Sequence, residues 1–479
     1  MKKIITFFLT ISMLINLIGC NTVSQVVKSV SGGNDVNENI NELAINNKNF
    51  PDRYLRSDVK TAFDTNNDNI LSEEELQAAQ ELKIINNLVE DMTGLELLPN
   101  LKRLGIGGSL GTELYVENFP ALEHLTLTQC AFETVVIKNN PMLEIFGSGS
   151  NALKTLDIQN NPNLEKISTV SDGFEVVNIT DNVSLKEIFF GSDNHFDGLV
   201  FSGSPELQKL EIQEKSLDSG AIDFIQFPNL EELAIANNNL TEIDLSMNTE
   251  LKILDCSNNQ LEELDLSANV KLTEVKCNSN LLENLNVSKL VNLETLWCGG
   301  NKLQSLDLSS NVMLTLLECS WNRLQKIDAR RNVALRLVSC TNNDLSSIEI
   351  SHEGPFGSDE GEISCGLNSI SFWNLEGATI YRTDWDEMRI EKIMNPENTI
   401  NISEFVPEEY LERISFSPGE LERVNGRFDA TTGILTIGKL PEINEDGEQT
   451  FTYIFDTKNE SNSPSEDDFR YMPVTIVLK

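Results

Sequence analysis

The stretch LKILDCSNNQLEELDLSANVK, residues 251–271, repeats its own pattern along the chain. It follows LEELAIANNNLTEIDLSMNTE (230–250) and precedes LTEVKCNSNLLENLNVSKLVN (272–292) and LETLWCGGNKLQSLDLSSNVM (293–313). A leucine begins a new unit every 21 residues, apart from one step of 22 and one of 23, which gives twelve units. These leucines are Leu101, Leu122, Leu143, Leu164, Leu185, Leu207, Leu230, Leu251, Leu272, Leu293, Leu314 and Leu335. Such a period is typical of a solenoid, in which each turn packs only against its neighbours.

Each unit fits LxxLxLxxNxL, the pattern of leucine-rich repeats, which predicts one short parallel strand per turn. A second half-pattern, as in LTEIDLS (240–246), predicts another extended edge on the outer side and little helix. The ninth position suits buried amides that bond to the turn backbone, and it holds Asn238, Asn259, Asn280, Asn301, Asn322 and Asn343. We therefore predict a mainly β fold, a leucine-rich-repeat solenoid of about twelve 21-residue turns over residues 101–350.

A cysteine recurs at the sixth position of five consecutive units. These residues are Cys256, Cys277, Cys298, Cys319 and Cys340. Their 21-residue spacing differs from zinc motifs, whose ligands lie within a few residues of one another. The spacing favours small apolar filler over a metal site or a disulfide relay. Cys130, at a ninth position, is expected to be buried as well.

The chain is strongly acidic, with 75 Asp and Glu against 36 Lys and Arg and a formal net charge of −39. This charge makes nucleic acid an improbable partner, because phosphate backbones are held by basic surfaces. Solubility in an extracellular or salty medium explains the charge more simply than cation binding does.

The first twenty residues have the composition of an export signal. Lys2 and Lys3 form the charged start, and residues 4–18 form an apolar core that is shorter than a typical transmembrane helix. The end, Leu17-Ile18-Gly19-Cys20, resembles the lipobox of bacterial lipoproteins. That resemblance implies an N-terminal diacylglycerol on Cys20, whereas the alternative is an ordinary signal followed by a chance cysteine. Residues 21–48 read as a flexible tether.

Residues 49–100 are predicted to form a helical cap that covers the first turn of the solenoid. Phe50, Leu55, Val59 and Phe63 follow one helical face. Ser72 can cap a second helix, with Glu75 completing a capping box.

Between these two helices, DTNNDNILSEEE (64–75) resembles an EF-hand calcium loop. The predicted oxygen donors for a single Ca²⁺ are Asp64, Asn66, Asp68, the Ile70 carbonyl, Ser72 and Glu75. Asn69 stands at the sixth position, where glycine is normal, and asparagine tolerates that left-handed geometry best after glycine. The alternative is an acidic loop that binds no cation.

The cap, the short connecting turn and the LxxLxCxxNxLxxLDLSxN repeats together resemble internalin-type bacterial surface proteins over about residues 45–350. The resemblance implies a repeat array that binds protein ligands, often in adhesion. The 21-residue period and the lipobox depart from the cell-wall-anchored members of that family.

After the repeats, residues 351–399 are predicted to be a junction and C-terminal cap, and 400–479 an immunoglobulin-like β-sandwich. Short apolar runs such as GILTIG (433–438) and QTFTYIFD (449–456) support strands in the second segment. GRFDATTGILTI (426–437) predicts two strands around a turn.

No constellation of residues predicts an enzyme. Gly107-Gly108-Ser109-Leu110-Gly111 fits GxSxG, but it lies in a repeat turn rather than at a strand–helix elbow, and the chain has only three histidines. Asp384, Asp386 and Glu387 are acidic neighbours that a solvated loop explains better than a sugar-cleaving pair.

The inner face of the sheet is where such repeats usually bind. Its solvent-facing positions hold mostly small and charged residues until late in the array, where apolar and aromatic residues collect. This predicted partner-binding set is Trp297, Leu316, Glu318, Trp321 and Leu337. Exposed aromatic clusters commonly mark interaction sites. The alternatives are internal packing against the C-terminal region and chance exposure.

From the sequence we expect a monomeric, lipid-anchored protein of the bacterial cell envelope, facing the outside or the periplasm, that binds a protein partner through the solenoid. Its only membrane contact would be the lipid anchor. The alternatives are a carbohydrate-binding envelope lipoprotein and a structural spacer without a specific ligand.

Overall fold

The structure is a computed structural model that describes residues 42–85, 88–149, 151–170, 172–191, 198–212, 217–345 and 347–351. Beyond these it describes 355, 362–364, 372–374, 389–392, 399–404, 411–412, 414–416, 419–423, 425–432, 434–437, 441, 449–456 and 471–478. Cys20 and the acidic neighbours at 384–387 lie outside the described residues. Within the described part, no helix is both long and apolar enough to cross a membrane.

The N-terminal cap is a small helical unit that runs directly into the solenoid. Its elements are β1 (Glu42–Ala44), α1 (Arg53–Phe63), β2 (Ile70–Ser72), α2 (Glu73–Ala78) and β3 (Glu81–Ile84). Asp52 caps helix α1, its carboxylate accepting from the Tyr54 N–H at 2.7 Å, and the helix buries Leu55, Val59 and Phe63 as predicted. Phe50, predicted on the same helical face, is buried but precedes the helix. Ser72 caps helix α2 and forms the predicted capping box with Glu75.

The repeats are built from short strands on both sides of the solenoid. The strands are β4 (Arg103–Gly107), β5 (Glu113–Glu117), β6 (His124–Thr128), β7 (Thr134–Lys138), β8 (Ile145–Gly149), β9 (Thr155–Gln159), β10 (Lys166–Val170), β11 (Val176–Thr180), β12 (Glu187–Phe190), β13 (Gly198–Ser202), β14 (Lys209–Ile212), β15 (Glu232–Ala234), β16 (Ile253–Asp255), β17 (Glu274–Lys276), β18 (Thr295–Trp297), β19 (Leu316–Glu318), β20 (Lys326–Ala329), β21 (Leu337–Ser339), β22 (Ser347–Ile350), β23 (Glu362–Ser364) and β24 (Phe372–Asn374). Short 3₁₀ helices lie at Leu95–Leu97 and Phe224–Gln226.

One parallel sheet of fourteen strands runs the length of the inner face, in the order β3, β4, β6, β8, β10, β12, β14, β15, β16, β17, β18, β19, β21 and β23. Each predicted unit contributes one strand, so the fold is the expected leucine-rich-repeat solenoid of about twelve turns. The cap strand β3 and the later strand β23 extend the sheet at its two ends. The sheet therefore reaches beyond the predicted range of 101–350 in both directions.

The predicted outer edge forms strands only in part of the solenoid. Five parallel strands (β5, β7, β9, β11, β13) line the early turns and three (β20, β22, β24) line the last ones. Over 217–325, a range described without a gap, the outer side has no strand, so the segment 240–246 is not one. Side chains stabilise those turns instead, because the carboxylate of Asp244 accepts from the Ser246 N–H at 2.9 Å and the Asn269 amide donates to the carbonyls of Leu245 and Asn248.

The core is a continuous column of leucines flanked by two internal ladders. All twelve starting leucines are at most 1% exposed. The ninth-position asparagines hold the turns together: the Asn280 amide donates to the carbonyls of Cys256 and Cys277 at 3.0 Å, and its oxygen accepts from the Leu261 N–H at 3.0 Å. This satisfies backbone groups that burial would otherwise leave without partners.

The cysteines at the sixth position form the second ladder. All five are fully buried and free of disulfides, and Cys130 is buried too. Burial raises the pKa of the Cys256, Cys277, Cys298 and Cys319 thiols well above the ordinary value, so they stay neutral. The structure thus places them as inert packing groups.

The C-terminal region adds β25 (Arg389–Lys392), β26 (Thr399–Asn401), β27 (Ile414–Ser415), α3 (Glu420–Arg423), β28 (Arg427–Asp429), β29 (Ile434–Thr436), β30 (Gln449–Asp456) and β31 (Tyr471–Leu478). They form a four-stranded sheet, β25-β31-β30-β27, and a three-stranded sheet, β26-β29-β28. The two strands predicted in 426–437 form an antiparallel pair, β28 and β29, as expected. A further 3₁₀ helix lies at Ile402–Glu404.

Candidate partner-binding surface

The inner face of the long sheet changes its chemistry along the solenoid. Side chains at the third and fifth positions of each unit point to this face because the residue between them, a leucine, isoleucine, valine or phenylalanine, points into the core. In the earlier turns they form ion pairs between neighbours, such as Lys166 with Glu187 at 2.7 Å and Lys209 with Glu232 at 2.7 Å. From β18 onward, tryptophan and leucine replace these charged pairs.

We call the set Trp297, Leu316, Glu318, Trp321 and Leu337 the tryptophan patch. The strand register pairs Trp297 with Glu318, and it pairs Leu316 with Leu337 on the next strand. Paired residues on neighbouring strands lie about 4.8 Å apart and share one face of the sheet. The structure therefore brings four of the five predicted residues into one surface, and Trp321 follows Glu318 by three residues.

Trp321 occupies a position that requires left-handed backbone. Its φ is 58°, and the equivalent residues of the neighbouring turns also have positive φ. Those residues are Asn237, Asn258, Ser279, Gly300 and Asn342. Asparagine and glycine suit this geometry, whereas a bulky aromatic residue there is strained by about 1 to 2 kcal/mol. Trp321 is also 65% exposed, so core packing does not explain its presence.

The carboxylate of Glu318 is fixed by backbone groups from two turns. One oxygen accepts from the Gly299 N–H at 3.1 Å and the other accepts from the Ser320 N–H at 3.1 Å. A Cβ at Gly299 would lie 2.2 Å from the nearer carboxylate oxygen, so only glycine leaves room for this arrangement. Within the described residues, no lysine or arginine pairs with Glu318.

The tryptophan patch is open to solvent. Trp297 is 38% exposed and Leu316 and Leu337 are half-buried. Two of the basic residues close by in sequence, Lys326 and Arg330, pair with Glu349 on the outer side at 2.8 and 2.9 Å.

The loop proposed to bind calcium has its carboxylates turned to the backbone. Asp64 accepts from the N–H groups of Asp68 at 3.2 Å and Asn69 at 3.0 Å. Asn69 has φ 65°, so it supplies the left-handed conformation that glycine normally supplies at this position. The pKa of Glu75 is lowered to about 2 by hydrogen bonds from the Thr65 hydroxyl, the Ser72 N–H and the Thr65 N–H.

The donor chemistry of this loop fits Ca²⁺, because Asp64, Asn66, Asp68, Ser72, Glu75 and the Ile70 carbonyl offer only oxygen ligands. Asp64, Asn66 and Asp68 lie together, since the Asp68 N–H donates to both of the other two side chains. Glu75 instead faces Thr65 and Ser72, and among the described residues no group of three or more His, Cys, Asp or Glu is arranged to hold a metal. Calcium binding here requires Glu75 to exchange its capping contacts for the ion.

Ser109 of the GxSxG stretch has a structural role. It is buried, its hydroxyl donates to the Val89 carbonyl at 2.9 Å, and it accepts from the Gly111 N–H at 3.2 Å. These contacts tie the first repeat to the cap and leave the hydroxyl turned away from solvent.

The sequence predicted that the tryptophans lie on the inner side of the late turns, but not the contacts that surround them. The need for left-handed backbone at Trp321 and the fit of Glu318 over Gly299 depend on how two turns stack. The pair Gly299-Gly300, one turn before Glu318 and Trp321, was the signal available in the sequence.

No protein-family model and no curated protein matches the chain. Among solved structures it is similar to the functional domain of InlJ from Listeria monocytogenes, which includes a cysteine ladder, with 20% identity, a TM-score of 0.44 and coverage of 91% of this chain and 99% of that one. The internalin inlF from the same organism has 18% identity, a TM-score of 0.46 and coverage of 65% and 92%. A leucine-rich-repeat protein of Leptospira interrogans has 18% identity, a TM-score of 0.47 and coverage of 67% and 85%. Identities of this size say nothing about a shared partner.

Proposed function

We propose that this chain is a leucine-rich-repeat protein of the bacterial cell surface that binds a protein partner through the tryptophan patch. The observation that carries the proposal is Trp321. Its backbone is strained and its ring is exposed at a position where the neighbouring turns have asparagine, serine or glycine. Strain that folding does not need, combined with a large exposed aromatic surface, is typical of a residue kept for binding.

The remaining parts of the proposal concern where the protein acts. The lipobox-like end of the leader supports a lipid anchor on Cys20, and residues 21–41 would separate that anchor from β1. Because the whole array lies beyond this tether, the inner face of the solenoid would be accessible to a partner outside the membrane. Adhesion to another cell or to a matrix protein is the role that such an arrangement suits.

Capture experiments with matched variants test the proposal. The chain from residue 21 onward is coupled to beads and exposed to host-cell and bacterial extracts, as wild type, as the double variant Trp297→Ala/Trp321→Ala, and as Tyr115→Ala. Tyr115 is the control because it is an exposed aromatic residue, 53% accessible, on the outer strand β5. We expect at least one protein to be retained by the wild type and Tyr115→Ala and lost from the double variant.

Three outcomes would contradict this function. If the wild type, the double variant and Tyr115→Ala retain the same proteins equally, the tryptophan patch is not the binding surface. Binding of the wild type to a glycan array, lost in the double variant, with no protein captured, would favour the carbohydrate-binding alternative, since exposed tryptophans also stack on sugars. Silence in both assays would favour a structural spacer.

We propose a second, independent property, the binding of one Ca²⁺ by the loop 64–75. It is supported by the all-oxygen donor set and by the left-handed backbone of Asn69. Strand β2, which spans the seventh to ninth loop positions, pairs antiparallel with β1, so the loop has a β-partner from its own chain. Calcium would stiffen the cap rather than take part in recognition.

A further inference from the structure

Glu318 has a carboxylate that is held in a fixed position and that pairs with no lysine or arginine of the described residues. Its two oxygens are held by the Gly299 and Ser320 N–H groups, one from each of two adjacent turns. Lys276, two strands away on the same face, is already paired with Glu274. A carboxylate on a fixed support with unused acceptor positions is ready to accept further hydrogen bonds from a ligand.

The surroundings of Glu318 are apolar and aromatic. Trp297 is its direct neighbour on β18, and Trp321 follows it on the same turn. Leu316 precedes it by two residues on the same face and is paired with Leu337. Three features therefore meet at one place: glycine at 299, the held carboxylate of Glu318 and tryptophan at the left-handed position 321.

We propose that the tryptophan patch recognises a basic side chain, arginine or lysine, presented by the protein partner among apolar residues. This inference rests on the proposed function and specifies the chemistry of its partner. The cationic group would bond to Glu318 and lie against the indole rings, and the apolar neighbours would cover Leu316 and Leu337.

Three physical arguments support this choice of ligand. A cation over an indole ring is favoured by the ring quadrupole, tryptophan being the best of the aromatic residues in this respect. Arginine matches a carboxylate through two parallel hydrogen bonds, which adds specificity. The long-range field of a chain with net charge −39 also attracts basic partners and repels acidic ones.

A phage-displayed library of random dodecapeptides provides the probe. It is selected against the wild-type chain from residue 21 onward, with counter-selection on Trp297→Ala/Trp321→Ala, so that only patch-dependent peptides are kept. We expect these peptides to carry arginine or lysine next to apolar residues. In synthetic peptides, replacing that arginine by citrulline, which is neutral and of similar shape, should weaken binding by about tenfold.

The matched variants are Glu318→Gln and Asp255→Asn. Asp255 occupies the equivalent position three turns earlier and also accepts from a backbone N–H, that of Ser257 at 3.1 Å. Glu318→Gln should remove the preference for arginine over citrulline, and Asp255→Asn should leave it unchanged. Gly299→Ala, which displaces the Glu318 carboxylate but keeps its charge, should reduce the preference for arginine by less than Glu318→Gln does.

The outcomes separate this inference from the proposed function. Patch-dependent peptides that lack basic residues, or an arginine preference that survives Glu318→Gln, would overturn the inference and leave the tryptophan patch as a binding surface. If no peptide depends on the two tryptophans, both the inference and the proposed function are contradicted.

Discussion

At the scale of single residues, Trp321 shows a conflict between folding and recognition. The residue before each ninth-position asparagine has positive φ. In the turns on either side of Trp321 this residue is asparagine, serine or glycine. Tryptophan adopts this geometry at a cost in strain and gains no burial, since most of the residue is exposed. Neither the backbone geometry nor burial favours tryptophan at position 321, so contact with a partner best explains it.

The first prediction is that Trp321→Asn stabilises the protein. Asparagine tolerates left-handed backbone, so relief of strain should raise the free energy of unfolding by about 1 kcal/mol. The measurement is urea unfolding followed by far-UV circular dichroism, which does not depend on the tryptophan removed. The reciprocal variant Asn342→Trp places the same strain one turn later and should lower stability by a similar amount. A loss of stability in Trp321→Asn would show that the indole packs usefully in the native state.

The second prediction concerns Asp172, a buried acid at a ninth position, where most described units have asparagine. Burial raises its pKa, although the Ser148 hydroxyl and the Asn151 N–H donate to it and oppose that shift. A raised folded pKa means that its contribution to stability is full below the unfolded pKa, near 3.9, and is lost as pH rises through the folded value. Asp172 therefore weakens the native state at neutral pH.

We expect Asp172→Asn to raise the free energy of unfolding at pH 7 by about 1 kcal/mol, because an amide avoids the buried charge and can donate to a backbone carbonyl as Asn151 does to Leu127. The gain should shrink as the pH is lowered toward 4. Thermal unfolding of both proteins across this pH range measures it. Asp181→Asn, at an exposed site on the outer side, is the control and should change little. A constant difference at every pH would contradict the assignment to ionisation.

At the scale of one turn, the asparagines and the leucines stabilise the fold in different ways. Leucines remove apolar surface from water, and asparagines satisfy the backbone of turns that have no strand on the outer side. This division explains how the repeat units within residues 217–325 keep their shape although each has only one short inner strand. The leucine and asparagine positions could be predicted from spacing alone, because both are dictated by the period. Which turns have outer strands could not, because that depends on hydrogen bonds between neighbouring turns.

The third prediction is that Asn280→Ala lowers the free energy of unfolding by about 2 kcal/mol. The change leaves the buried N–H of Leu261 without its acceptor, whereas the carbonyls of Cys256 and Cys277 each keep a second amide donor, Asn259 and Asn301 respectively, at 3.0 Å. Urea unfolding measures the effect. Asn284→Ala, on an exposed side chain of the same unit, should be close to neutral. If Asn280→Ala and Asn284→Ala change the free energy of unfolding by a similarly small amount, water replaces the Asn280 amide.

The fourth prediction concerns the cap. Excess calcium should raise the melting temperature of the wild-type protein, with about 2.7 kcal/mol of stabilisation when the calcium concentration is a hundredfold above the dissociation constant. Asp64→Asn should abolish the response, because a neutral amide is a much weaker calcium ligand. Glu74→Gln, on the exposed glutamate beside Glu75, is the control and should respond as the wild type does. Identical melting curves for the wild type with and without calcium would exclude an occupied loop.

At the scale of the whole molecule, the repeat period predicts the solenoid but does not predict where its sheet begins and ends. Strands β3 and β23 extend the sheet although neither begins with a leucine of the repeat series, because register with the neighbouring strand matters more there than sequence pattern. The position of the tryptophans could likewise be predicted from their place in the repeat. Their support could not, since Gly299, Glu318 and Trp321 belong to two different turns and meet only when these stack.

The net charge of −39 provides the fifth prediction, which follows from the proposed basic ligand. Surface charge far from the contact accelerates association of a basic peptide, and salt screens it, with a Debye length of about 10 Å at 0.1 M. Stopped-flow measurements with a selected arginine peptide should show an association rate that falls about tenfold between roughly 0.02 and 0.2 M salt. Glu318→Gln should keep nearly the same salt dependence, because it removes one charge of many, and should instead raise the dissociation rate. An association rate independent of salt would show that the overall charge serves solubility alone, and an unchanged dissociation rate in Glu318→Gln would show that this carboxylate does not touch the ligand.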